Sequence, residues 1–143
     1  MNVKQISVFV ENKKGRLAEI TKALGENDID ISALSIADTT DFGILRLIVN
    51  KPDLAAKILK DKGLAVKATE VIAISVADKP GGLAAALEKL DAEHISIEYM
   101  YAFVGKRTSE ALVIIRVEEP DKAVSVLEKN GIKVITNDEV YSL

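Results

Sequence analysis

Asn12-Lys13-Lys14-Gly15-Arg16-Leu17 and Asp78-Lys79-Pro80-Gly81-Gly82-Leu83 stand 66 positions apart in this chain. In both, a short polar residue precedes a glycine by three positions, and a leucine follows two positions later. Working outward at the same offset, Ile6, Val10, Leu24, Ile29 and Ile31 fall on Ile72, Val76, Leu90, Ile95 and Ile97. Past the next turn the offset becomes 68, and Val49, Pro52, Asp53, Leu59, Gly63 and Val66 meet Val117, Pro120, Asp121, Leu127, Gly131 and Val134. The two extra residues lie where Ser35–Phe42 gives way to the longer Tyr101–Glu110. One length change at one turn is the mark of two copies of a single fold. The chain reads as a tandem duplication, with units over 1–69 and 70–143.

Each copy carries the order β-α-β-β-α-β. Ile6, Val8 and Val10 alternate with Ser7 and Phe9, the period of a strand with one face in the core. A helix follows Gly15, with Leu17, Ile20 and Leu24 at helical spacing. Ile29–Ile36 and Gly43–Val49 read as strands around a turn over Thr39–Phe42. Pro52-Asp53 opens a second helix with Leu54, Ile58 and Leu59 as its apolar stripe, Gly63 ends it, and Leu64–Lys67 starts another strand. The second copy repeats the plan with Ile72–Val76, a helix over Gly82–Ala92, Ile95–Val104, Ala111–Val117, a helix over Asp121–Asn130 and a strand from Ile132. This is the α+β class: two ferredoxin-like units, antiparallel sheets with helices on one face. Val66–Val76 reads as one strand-like run without glycine or proline, which implies docked rather than tethered units. Glu139-Val140 echoes Glu70-Val71, so a strand shared or exchanged between copies is also open.

Composition narrows the function. In 143 residues, 48% are hydrophobic, 29% charged and none is cysteine. That apolar share supports a packed core, and the missing thiols exclude disulfides, thiolate metal sites and a cysteine nucleophile. Nineteen lysines and arginines against 22 acids give a net charge of -3, the wrong sign for nucleic acid or an anionic membrane surface. Met1–Val10 has no uninterrupted apolar run of the secretory kind, and no stretch approaches a membrane span. The expectation is a cytoplasmic protein with no nucleic-acid or membrane partner. His94, the one histidine, sits at a helix end, where the dipole accounts for it. No catalytic triad, metal motif or phosphate loop occurs, so the expectation is no enzyme, no cofactor and no metal.

The glycine turns carry what chemistry there is. A helix N-terminus with unpaired N–H groups suits a carboxylate or phosphate, and glycine lets a ligand approach the backbone. The Asn12 amide or the Asp78 carboxylate is placed to accept from an ammonium group, which together describes an α-amino-acid site. Ordinary caps and turns use the same residues, so that reading stands beside it.

Asn/Asp-x-Pro-Gly-x-Leu within a β-α-β-β-α-β unit of this size resembles the ACT domain, a family of small regulatory modules that bind amino acids. The resemblance covers the whole chain as two units. Asp78–Leu83 matches more closely, while Lys14 takes the proline position in the first copy. It implies an allosteric amino-acid sensor or regulatory subunit without catalysis, with units side by side in an extended sheet and the chain a homodimer. The implied contacts are Asn12, Gly15, Arg16 and Leu17 with Asp30 and Ile31, and Asp78, Gly81, Gly82 and Leu83 with Ser96 and Ile97, meeting across unit interfaces. The alternative is a ligand-free interaction module that docks on a biosynthetic enzyme.

Three further features bear on partners. The sheet face opposite the helices would carry Phe9, Ile44, Arg46 and Ile48, then Ala73, Ser75, Leu112, Ile114 and Arg116, too apolar to be fully solvated. Arg46 and Arg116 are expected to snorkel or to pair with an acid such as Glu98, with a ligand carboxylate as the sharper option. Tyr99, Tyr101 and Phe103 approach Lys106-Arg107, as in RNA-binding sheets, but they extend the core phase of Ile95 and Ile97 and are read as packing.

Overall fold

Val3–Glu11 (β1), Arg16–Glu26 (α1), Ile31–Asp38 (β2), Phe42–Val49 (β3) and Pro52–Asp61 (α2) form the first set of elements. Ala65–Ala77 (β4), Gly82–Ala92 (α3), Ile97–Ala102 (β5), Glu110–Val117 (β6), Pro120–Lys129 (α4), Lys133–Ile135 (β7) and Asn137–Tyr141 (α5) complete the chain. The computed structural model describes residues 2–11, 13–38, 41–104 and 110–142. Thr39-Thr40 and Lys106-Arg107, named above in turns, lie outside the described residues. The compact units are Lys4–Thr69 and Glu70–Tyr141, the latter joined by the residues up to Val3. β4 is unbroken, as the run without glycine or proline implied, and the division falls inside it.

In the first unit β3 pairs antiparallel with both β1 and β2, matching Val8 with Leu45 and Ile36 with the same residue. Because strand side chains alternate, Ile6, Val8 and Val10 share a face with Leu45, Leu47 and Val49. Ile20 and Leu24 of α1 and Ala55 and Leu59 of α2 close over that face. Each fully buried Leu or Ile side chain contributes roughly 1.5–3 kcal/mol. The second unit has the order β7-β4-β6-β5 and an equivalent core of Ile72, Ile74, Val76, Leu90, Val113, Ile115, Val117 and Leu127. The α+β class and the two βαββαβ units are therefore as the sequence implied.

Two expected core leucines are not core. Leu17 is 40% exposed and Leu54 41%. Ala23 and Ala55 are buried instead, since each helix points the i+3/i+4 line of its small residue and large leucine at the sheet. Leu83, the counterpart of Leu17, is partly buried against its core.

The strands after the helices start later than the apolar runs do. Asp28, Gly63, His94 and Gly131 adopt left-handed backbones, with φ of 58°, 85°, 58° and 76°. The next residue in each case, Ile29, Leu64, Ile95 or Ile132, donates its N–H back to Leu24, Leu59, Leu90 or Leu127. This is the Schellman helix stop, which uses an apolar residue just past the left-handed position. Those residues therefore close helices and precede the strands, and His94 sits past its helix end.

The proposed echo at Glu139-Val140 is overturned: both residues lie on α5, with Val140 fully buried. Thr136 caps this helix. Its Oγ1 accepts from the Glu139 N–H at 3.3 Å, and the Thr136 N–H donates to Glu139 Oε1 at 3.4 Å. Thr136-x-x-Glu139 is a capping box that the sequence displays.

On the sheet faces away from the helices, Ile48, Ala73 and Ile114 are fully buried, while Ile44, Arg46, Leu112 and Arg116 are half-buried. Full solvation is thus excluded, as expected. Phe9 stays 50% exposed. Arg116 Nε lies 3.5 Å from Glu98 Oε2, and its Nη1 donates to the Glu70 carbonyl at 2.8 Å, so the structural pairing holds for this arginine. Tyr99, Tyr101 and Phe103 are half-buried, as packing residues would be.

Candidate functional site

Both glycine turns are built the same way. Lys13 N–H donates to the Glu11 carbonyl at 2.8 Å, and Lys79 N–H to that of Ala77 at 2.9 Å. The Arg16 and Gly82 N–H groups then donate to Lys13 and Lys79. Gly15 (φ 83°) and Gly81 (φ 84°) stand at the N-cap and bring no side chain of their own to cap the helix. That positive φ costs most L-residues about 1–2 kcal/mol, which is why glycine occupies both positions.

The residue after the glycine separates the copies. A Cβ on Gly82 would lie 1.9 Å from the Ala77 carbonyl oxygen, so α3 starts against the strand it follows. Arg16 carries a full side chain at the matching position, so that close approach cannot exist in the first copy. Arg16 Nη1 instead pairs with Glu19 at 3.3 Å, and its Nε is buried without a hydrogen-bond partner. Lys13 is held 2.7 Å from Glu11, and that hydrogen bond and charge keep the Glu11 carboxyl below its ordinary range. In the second copy Ala77 replaces Glu11, and among the described residues the Lys79 ammonium has no ion-pair partner.

Around Gly81 and Gly82 a concavity of about 420 Å³ opens within the second unit. Val76 and Ala77 line it beside Lys79, Lys89 of α3, Lys133 of β7, and Ser75 and Glu110 of the paired strands. β7 meets β4 only at Ala73, Ile74 and Ser75, which leaves the end of β4 to form the floor. Ser75 donates a hydrogen bond to Glu110. Lys133 Nζ lies 3.6 Å from Glu139, whose carboxyl is held below its ordinary range mainly by the Thr136 N–H, then by the Thr136 hydroxyl. The sequence had not singled out Ser75, Lys89, Glu110 or Lys133 as site residues. Their signal was the comparison of copies, since Phe9, Ala23, Phe42 and Ala65 stand in their places.

Of the twelve expected contacts, this concavity brings together Gly81 and Gly82. Asp78 is exposed and outside its lining, and Leu83 packs on the core. Ser96 lines two separate hollows of about 240 and 490 Å³ around His94, and Ile97 lines the larger. In the first unit Gly15, Leu17 and Asp30 are exposed and Arg16 is half-buried. Asp30 is locked to Asn50: its N–H donates to the Asn50 side chain at 3.0 Å, and its carbonyl accepts from the Asn50 N–H at 3.2 Å. Ile31 packs on the core, and Asn12 lies outside the described residues. Among the described residues no cluster of His, Asp and Glu is arranged to hold a metal, and no helix is long and apolar enough to cross a membrane.

A β-bulge adjoins each second-strand start. The register slips at Ser32 between Ile31 and Ala33, and at Glu98 between Ile97 and Tyr99. A bulge bends a strand and re-aims the neighbouring side chains.

Fold and turns define a protein made of two ferredoxin-like modules, each with a glycine-headed first helix. A family model described as an ACT domain pair matches residues 1–143, and the chain belongs to that family. A protein of known structure from Bacteroides thetaiotaomicron is 45% identical, with a TM-score of 0.93 over 100% of this chain and 98% of the other. The ligand-free regulatory subunit of aspartate kinase from Thermus thermophilus is 15% identical, with a TM-score of 0.65 over 90% and 93% of the two chains. Aspartate kinase from Synechocystis is 22% identical, with a TM-score of 0.55 over 89% of this chain and 24% of that one. The last two share the fold alone. Among curated proteins, none matches the chain.

Proposed function

We propose that this protein is a non-catalytic regulatory module that binds a small amino acid at its glycine turns, above all at Gly81-Gly82. The observation that carries the reading is the concavity of about 420 Å³ onto which this turn opens, a volume in the small-ligand range. The fold shared with a regulatory subunit of aspartate kinase supports a regulatory role. Within the second unit, the glycine turn and Ser96-Ile97 line different hollows. A small ligand reaching both kinds of residue therefore needs a second ACT unit, contributed here by another copy of the chain in a homodimer. Binding acts by differential affinity, stabilising the packing in which the loop and the partner strand both touch the ligand.

Thermal shift of the full chain against the twenty amino acids at millimolar concentration tests this. One amino acid should raise the melting temperature, and Gly81→Val, checked for folding by circular dichroism, should abolish the rise. Absence of any shift overturns the reading.

The alternative, a ligand-free docking module, draws on Phe9 and Phe42. They are 50% and 58% exposed on paired strands and lie on the face away from the core. Co-purification with a biosynthetic enzyme alongside a negative ligand screen would establish it.

A further inference from the structure

Resting on the reading of Gly81-Gly82 as a ligand site, we infer that the second unit's concavity selects a small acidic molecule, an amino acid with a second carboxylate, through Lys89 and Lys133. Three lysines line it, Lys79, Lys89 and Lys133, against one acidic residue, Glu110. They come from three separate elements: the turn, α3 and β7. Gly82, Ala85, Ala86 and Lys89 form one line along α3, so Lys89 stands on the same wall as the glycine-headed helix start. Among the described residues Lys89 has no ion-pair partner, and Lys133 has only the 3.6 Å approach of Glu139. Glu139 is itself held at Oε1 by both the N–H and the hydroxyl of Thr136, with Oε2 toward Lys133.

The first unit supplies the control. The same fold is completed there with Ala23 for Lys89, Ala65 for Lys133 and Phe42 for Glu110. Folding therefore does not require these charges. A neutral ligand would leave the cations uncompensated, whereas one carboxylate at the helix start and another between Lys89 and Lys133 would satisfy both ends. The Glu110 carboxylate, oriented by Ser75, faces the ammonium group of such a ligand.

Calorimetric titration of the full chain with L-glutamate and L-aspartate, against L-glutamine and L-asparagine, separates the possibilities. The acids should bind about tenfold more tightly than their amides, the scale of one charge-assisted hydrogen bond. Lys89→Gln should remove that preference, and Lys133→Gln should reduce it. Added salt should weaken the acids selectively. Equal affinity for acid and amide, or a preference that survives Lys89→Gln, overturns the inference. Binding of a neutral amino acid that is lost in Gly81→Val would overturn it while sustaining the amino-acid site. Silence from all twenty amino acids would remove both.

Discussion

Gly15 and Gly81 head the first helix of each unit at almost the same φ, 83° and 84°, yet Arg16 follows one and Gly82 the other. In the second unit a missing Cβ lets the helix start against the carbonyl of Ala77, and lysines ring the hollow beside it. In the first unit Arg16 turns to Glu19, Lys13 to Glu11, and two phenylalanines stand where Ser75 and Glu110 stand. A backbone can thus be duplicated while the chemistry around it diverges, because left-handed glycine fixes the turn and leaves the neighbours free.

The comparison breaks first at Gly82. Gly82→Ala should destabilise the protein by about 1–3 kcal/mol, the cost of forcing a methyl group against backbone, whereas Arg16→Ala should stay within about 0.5 kcal/mol. Urea denaturation of the two variants decides it, and equal losses would erase the distinction between the turns.

A smaller effect tests where the units agree. His94 and Asp28 occupy matching left-handed helix stops. His94→Gly should stabilise by about 0.5–1 kcal/mol, and Asp28→Gly by less, since aspartate tolerates that conformation better than histidine. Thermal denaturation of both variants would sharpen the equivalence, and a loss on either substitution would deny it.

The smallest effect concerns α5, an element only the second unit has. The Glu139 carboxyl is held below its ordinary value of 4.5 by Thr136, so it favours the folded state while ionised. That contribution is complete above the unfolded value and fades as pH falls through the lower folded one. The melting-temperature advantage of wild type over Glu139→Gln should therefore be present near about pH 7 and shrink on acidification below about pH 4. A difference independent of pH would assign the helix's stability to Val140 packing alone.

Much of the fold was legible because duplication doubles each weak local signal. The helix over Gly82–Ala92 was read to the residue, and β4 as one unbroken run. Ile29, Ile95 and Ile132 misled because an apolar residue that closes a helix resembles the first residue of the strand after it. Leu17 and Leu54 misled because spacing gives the period of an amphipathic helix more securely than its phase. The capping box at Thr136 was visible but hidden behind the apparent echo at Glu139-Val140. Of the residues lining the concavity, Gly81 and Gly82 were recoverable from turn chemistry. The lysines were not, since a lysine on a helix face is ordinarily solvated and only tertiary placement turned Lys89 toward the hollow.

The paired bulges at Ser32 and Glu98 record the order of events. The two residues share no chemistry, one buried and one exposed, yet both interrupt the same strand at the same register. An irregularity that outlasts such divergence belonged to the ancestral unit before it was copied. The set Lys89, Glu110 and Lys133, matched by Ala23, Phe42 and Ala65 in the other half, is younger than the duplication or was erased from that branch. Dated this way, the bend beside the second strand is what both halves inherited, and the residues around each glycine turn are what each half went on to change for itself.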